Sequence, residues 1–108
     1  MATPESKVKN EVKKQLEKHK GYVNGFWPVP YGYGESHLDW VGCAYGFFVA
    51  IEVKAPGKKP TPRQKHRIEG VKVACGIALV VDGTDATTTY AELGDVLDGL
   101  HARFRRGE

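Results

Sequence analysis

One run constrains this chain more than any other: Phe47-Phe48-Val49-Ala50-Ile51-Glu52-Val53-Lys54. Aromatic and β-branched residues dominate it, which is the composition of a strand. Side chains alternate along a strand, so Phe47, Val49, Ile51 and Val53 share one face, and Phe48, Ala50, Glu52 and Lys54 the other. A carboxylate and an ammonium thus stand side by side at the end of a strand whose other residues read as buried. Asp39 lies on the preceding segment, joined through a turn around Ala44-Tyr45-Gly46, and hairpin pairing is expected to bring it near Glu52. Burying an unpaired carboxylate costs several kcal/mol. A cation among these acids is therefore expected.

The 108 residues suffice for one domain, over 1–108, with one core, and are too few for two. A hydrophobic fraction of 41% and a charged fraction of 27% exclude a disordered chain. The longest apolar run, over 47–51, is far short of the roughly 20 residues that cross a bilayer. The polar, charged N-terminus lacks the pattern of a signal peptide. Cys43 and Cys75 form no close-spaced metal or redox motif, and two free thiols in a reducing cytoplasm are expected. The formal charge of +3 suits a polyanionic partner without demanding one. Its distribution says more, because Lys54, Lys58, Lys59, Arg63, Lys65, Arg67 and Lys72 follow the Glu-Val-Lys strand closely. Beside two carboxylates, such a cluster points to phosphate contact rather than to a merely solvated surface. Arg103, Arg105 and Arg106 form a second basic group.

Thr3 and Pro4 read as N-cap and first residue of a helix, with Val8, Val12 and Leu16 at i, i+4 and i+8, ending near Gly21. Glu5 falls on the same face as those three and Glu11 at its edge, so Glu5 is the better candidate for an acid facing a site. Complementing the helix dipole is the simpler reading of Glu5. A first strand is expected over 22–29, limited by Pro28 and Pro30. Tyr31-Gly32-Tyr33-Gly34 is a loop, and Glu35, Ser36 and His37 lead to a second strand over 38–41. After the 47–54 strand and a Pro/Gly/Lys loop, Thr61, Pro62 and Gln64 form a Thr-x-x-Gln capping box opening a helix to about Ala74, ended by Gly76. Ile77-Ala78-Leu79-Val80-Val81 reads as a strand buried on both faces. Asp82-Gly83 turns the chain, and a last helix over 91–105 carries Leu93, Val96, Leu97, Leu100 and Phe104 on one face. The order αβββαβα, with a hairpin between strands two and three and a helical crossover between strands three and four, predicts an α/β fold. Its mixed central sheet is flanked by helices.

Asp39, twelve intervening residues, Glu52-Val53-Lys54 and this element order resemble the PD-(D/E)xK restriction-endonuclease-like core. More closely, Thr3-Pro4-Glu5, Tyr31-Gly32-Tyr33-Gly34, Gly42-Cys43, Asp82-Gly83 and the unbroken run from Ile51 to Gln64 resemble the VRR-NUC family, in its small stand-alone phage and bacterial members. The likeness covers about 3–83. A bare Asp…Glu-x-Lys is common by chance, whereas Glu-x-Lys-Ala-Pro-Gly-Lys-Lys-Pro-Thr-Pro-x-Gln in one run is specific. The resemblance implies that Asp39, Glu52 and the backbone carbonyl of Val53 bind a divalent metal. It implies that Lys54 orients or activates the attacking water, and that Glu5 and Gln64 complete the site. His37 and Glu35 depart from the family pattern, where glycine and a basic residue are usual.

Carboxylate and carbonyl oxygens suit Mg²⁺ or Mn²⁺. The resemblance implies a Mg²⁺/Mn²⁺-dependent DNA endonuclease of a bacterial or phage-infected cytoplasm, acting as a homodimer on branched DNA such as a Holliday junction. A less selective flap, splayed-end or duplex nuclease is the rival enzyme. A non-catalytic DNA-binding subunit of the same fold is the rival from another class. Lys58, Lys59, Arg63, Lys65 and Arg67 are the candidate DNA contacts, and no membrane is implied.

Overall fold

The computed structural model describes residues 3–28, 38–83 and 86–107, and for 86–89 the backbone alone. The elements run α1 (Pro4–Glu17), β1 (Val23–Phe26), β2 (Trp40–Ala44), β3 (Phe47–Val53), α2 (Pro62–Val73), β4 (Ile77–Val81) and α3 (Ala86–Arg105). This is the expected αβββαβα order. The Tyr31–Gly34 loop, Glu35 and His37 lie outside the described residues.

The four strands form one mixed sheet in the order β1-β2-β3-β4. β1–β2 and β2–β3 are antiparallel, and β3–β4, joined through α2, is parallel. Tyr45 and Gly46 connect β2 to β3 with φ of 51° and 87°. Positive φ at both central residues marks a type I′ turn, whose twist matches that of the strands it joins. It fixes the register Ala44↔Phe47 through Trp40↔Ile51. At the far side of β2, Gly42 faces Gly25 beneath the Trp40 indole, and a Cβ on Gly42 would stand 2.6 Å from the Asn24 carbonyl oxygen.

The alternation read along β3 sets the layers. Val49, Ile51 and Val53 are buried, and pack with Leu79 and Val81 of β4, Val8, Val12 and Leu16 of α1, and Leu93, Leu97 and Leu100 of α3. α1 opens on Thr3, whose hydroxyl accepts the Ser6 N–H at 3.1 Å, with Pro4 behind it. α2 covers the other sheet face, where Phe48, Arg67, Gly70, Val71 and Cys75 line a shallow groove. No residue of α2 is fully buried. Among the described residues, no helix is long and apolar enough to cross a membrane.

Five expectations need correction. β1 stops at Phe26, short of Pro28, and β2 runs later than expected, to Ala44, because the tight turn lets pairing continue to its edge. β4 is not buried on both faces: Leu79 and Val81 are, while Ile77, Ala78 and Val80 are half-buried. As the outermost strand it has a neighbour on one side only, and α2 lies loosely over it. Cys75, not Gly76, takes the left-handed position after α2, with φ of 66°. α3 starts five residues before the expected 91, at Ala86.

Candidate functional site

The hairpin register brings the two predicted carboxylates together. Trp40 pairs with Ile51, so Asp39 stands opposite Glu52, one step beyond the end of the ladder. Asp39 is fixed there by a short hydrogen bond, the Val53 N–H donating to its Oδ2 at 2.7 Å. Glu52 sits between the core residues Ile51 and Val53 but faces the other way, and is only 1% exposed. Its Oε2 is buried with no hydrogen-bond partner among the described residues.

That environment shifts its chemistry. Burial, first, pushes the Glu52 carboxyl up to about 8; a hydrogen bond shared with Asp39 and the negative charge of Asp39 add to the rise. The Lys54 ammonium pulls in the opposite direction, and Glu5 adds a smaller upward push. The three groups named from the strand motif therefore act on one another, and Glu5 lies near enough to be felt.

Glu5 reaches the site from the first turn of α1 as an exposed side chain, although it shares a helical face with Val8, Val12 and Leu16. The core begins one turn later, at Val8, so Glu5 is left at its rim. Glu11 is turned elsewhere: its charge acts on Tyr90. Of the two helix-one acids, Glu5 is the one whose charge is felt at Glu52.

Gln64 forms the capping box read from the sequence. Its Oε1 accepts the Thr61 N–H at 2.9 Å, and the Thr61 hydroxyl accepts the Gln64 N–H at 3.2 Å. This fixes the start of α2 and leaves the carboxamide Nε2 as the atom that a ligand would meet. Lys58, Lys59, Arg63, Lys65 and Arg67 are exposed on the loop after β3 and on α2. The Lys58 N–H donates to the Ala55 carbonyl at 3.0 Å, closing a turn that puts Gly57 at φ 83°.

Asp82 and Tyr90 join this end of the sheet without having been singled out as site residues. The Lys54 N–H donates to the Val81 carbonyl at 3.0 Å, so parallel pairing sets Asp82 beside Lys54. Burial raises the Tyr90 hydroxyl above its usual range, and Glu11 and then Asp82 add to the rise. In the sequence Asp82-Gly83 reads as a turn and as part of the family likeness, with no site role of its own. Tyr90 had fallen just before the expected helix.

Among the described residues, no three His, Cys, Asp or Glu side chains converge closely enough to hold a metal by themselves. The fit is instead that of two carboxylates with a backbone carbonyl at Val53. A hard cation that keeps several waters needs no more from the protein, and it would partner the orphaned Oε2 of Glu52. No protein-family model matches the chain, and no curated protein matches it.

Proposed function

We propose that this chain is a Mg²⁺- or Mn²⁺-dependent nuclease of the PD-(D/E)xK type, hydrolysing phosphodiester bonds in DNA. The observation that carries the reading is the Glu52 carboxylate: buried, lacking a partner on one oxygen, opposed by Asp39 and flanked by Lys54. A buried acid pair of this kind is unfavourable without a cation, and functional sites are where such unfavourable pairs are retained.

In this mechanism Asp39, Glu52 and the Val53 carbonyl would hold the ion. The Val53 N–H fixes Asp39, so that its Oδ1 is presented without loss of side-chain freedom at the moment of binding. Bound Mg²⁺ would lower the pKa of a water and stabilise charge developing on the phosphate. Lys54, on the same strand face as Glu52, orients the attacking water and offsets phosphate charge. Glu5 and the Nε2 of Gln64 flank the entrance. The exposed lysines and arginines of the 58–67 segment contact flanking phosphates.

Branched DNA, and the four-way junction above all, is the proposed substrate, cut by a homodimer with two sites, because a junction's near two-fold symmetry suits a two-fold enzyme. A dimer surface on α3 is disfavoured, since Leu93, Leu97 and Leu100 are already in the core; Phe26, 63% exposed, remains available. The test is cleavage of a labelled four-way junction, a flap and a linear duplex with and without Mg²⁺, alongside the mass of the protein in solution. Glu52→Ala and Lys54→Ala are expected to abolish cleavage and retain junction binding. Cleavage surviving in either, or wild-type protein inert on all three substrates with Mg²⁺, overturns the reading; the second result leaves a DNA-binding subunit.

A further inference from the structure

A second group of side chains gathers at the opposite end of β3. Tyr22, just before β1, and Tyr45, in the β2–β3 turn, are stacked with ring centroids 5.3 Å apart and planes 11° from parallel. His101 of α3 lies stacked beside both, 5.2 Å from Tyr45 and 6.3 Å from Tyr22. The three centroids form a triangle rather than a column, so the near-parallel rings make a stepped platform. Phe104, one turn further along α3, meets Tyr22 edge-on at 5.3 Å.

This platform is rigid from beneath. His19 is buried at the end of α1; its Nδ1 and the Tyr45 hydroxyl share a hydrogen bond of 2.6 Å, and its Nε2 stands 3.4 Å from Asp98. With the proton on Nε2, the hydroxyl donates to Nδ1, which locks the Tyr45 ring. Yet the cluster is not sealed. Tyr22 is 51% exposed and Phe104 50%, and Tyr45 and His101 are half-buried.

Exposed cations neighbour these residues in the chain. Lys18 and Lys20 flank His19 in the chain, and Arg103 and Arg105 flank Phe104; all four are exposed. The Arg103 guanidinium lies 4.9 Å over the Phe47 ring, at the start of β3. Asp98 stands against His19, and Glu17 pairs with Lys20 at 3.8 Å in an exposed pair that a phosphate can displace. A partly exposed aromatic surface carried on segments rich in lysine and arginine complements a ligand with flat faces and a negatively charged backbone.

We propose that Tyr22, Tyr45, His101 and Phe104 form a binding site for unpaired nucleotides of a single-stranded nucleic acid, the bases stacking on Tyr22 and Phe104 and the phosphates meeting Lys18, Lys20, Arg103 and Arg105. Base–aromatic stacking with backbone-tracking cations is the general physics of single-strand binding. The five residue steps from Phe47 to Glu52 separate this end of β3 from Glu52 by roughly 17 Å. That is about five base-pair steps of duplex at ~3.4 Å each. A substrate with an unpaired stretch a few nucleotides from the cut would engage both ends of the sheet. This goes beyond the cleavage reading and does not depend on it, because binding here needs no metal.

The experiment measures fluorescence anisotropy of a labelled 12-mer oligothymidylate and of an abasic 12-mer with the same backbone, in EDTA. Wild-type protein is expected to bind the thymidylate about 10-fold more tightly or better, since only it can stack. Tyr22→Ala and Phe104→Ala should each lose roughly 10-fold on thymidylate and little on the abasic strand. Tyr22→Trp should keep the preference, and Arg105→Gln should lower the salt slope by about one counterion. Tyr22→Leu and Phe104→Leu keep apolar packing at the same positions, so loss of the base preference in these variants at unchanged thermal stability excludes misfolding as the cause. Equal affinity of the wild type for the two strands, or an undiminished preference in the leucine variants, overturns the proposal. Junction cleavage, followed separately with Mg²⁺, reports on the Glu52 site. A protein that cuts but shows no base preference refutes the platform alone, and one that shows the preference without cutting refutes the nuclease reading alone.

Discussion

Replacing Glu52 with glutamine should make the metal-free protein more stable at neutral and alkaline pH. In the fold the Glu52 carboxyl titrates near 8 rather than at its ordinary value of 4.5, with burial as the leading cause. Between those values the folded protein holds a proton that the unfolded chain has released, so stability falls as pH rises through this window. Below about 4.5 the acid is neutral in both states and the penalty vanishes; above about 8 it is ionised in both and the penalty is complete. Each pKa unit corresponds to about 1.4 kcal/mol, which sets a ceiling near 5 kcal/mol for ionising Glu52 in place. Local relaxation and water entry reduce such penalties in practice, and about 2–3 kcal/mol is expected. Glu52→Gln removes the charge, keeps the shape, and allows the amide to donate to Asp39. In EDTA at pH 8.5 it should raise Tm by roughly 10 °C, at several degrees per kcal/mol for a domain of this size. At pH 4 it should change little. Thermal melts of both proteins from pH 4 to 9, monitored by circular dichroism, give the two curves. A wild-type curve that is flat from pH 5 to 8, or a glutamine variant less stable than wild type at pH 8.5, would refute the reasoning.

The same melts with millimolar Mg²⁺ at pH 8.5 should raise the wild-type Tm and leave Glu52→Gln unmoved, by linkage of binding to folding. Asp39→Ala removes the acceptor of the Val53 N–H and should cost about 1–3 kcal/mol; denaturant titration measures this. The same variant should flatten the pH dependence of stability, because Asp39 contributes to the raised Glu52 pKa. Thr61→Ala should lose about 1 kcal/mol with the α2 cap, visible as a lower urea midpoint at an unchanged m-value. Gly42→Ala forces a Cβ against the backbone of β1, 2.5 Å from the Gly25 Cα, and should destabilise by roughly 1–3 kcal/mol in the same assay.

Much of this architecture was legible because its signals are local and reinforce one another. Alternation along β3, the Thr-x-x-Gln box and the 3.6-residue spacing of Val8, Val12 and Leu16 each name an element and the face it buries. The pairing of Asp39 with Glu52 followed from a hairpin, which sequence separation makes cheap to propose. What escaped depends on contacts between distant segments. Tyr90 was placed ahead of its helix because Ala86-Thr87-Thr88-Thr89 has weak helix propensity, and nothing nearby reveals that Glu11 and Asp82 come to face its hydroxyl. The aromatic platform draws Tyr22 from the approach to β1, Tyr45 from a turn, and His101 and Phe104 from α3, so no window of the chain contains it. Cys75 took the left-handed position from Gly76 against a conformational preference of order 1 kcal/mol. Gly76 is instead pressed between Val71 and Phe48, where a Cβ would stand 2.9 Å from the Val71 Cγ1. Close approach, not torsion, reserves that position for glycine.

The two-residue turn at Tyr45 and Gly46 acts on the carboxylates as a ruler. Glu52 and its core neighbours Ile51 and Val53 differ only in the phase of one alternation, and that phase is set seven residues away, where the chain reverses. Lengthening the turn by one residue would not loosen the site gradually. It would offer β3 a shifted pairing that puts Ile51 or Val53, instead of Glu52, across from Asp39. An insertion in a surface turn, ordinarily among the most tolerated of changes, would here be read out at the other end of the strand as the loss of a matched pair of acids. The chemistry at Asp39 and Glu52 is thus inherited from a geometric decision made at the opposite edge of the molecule.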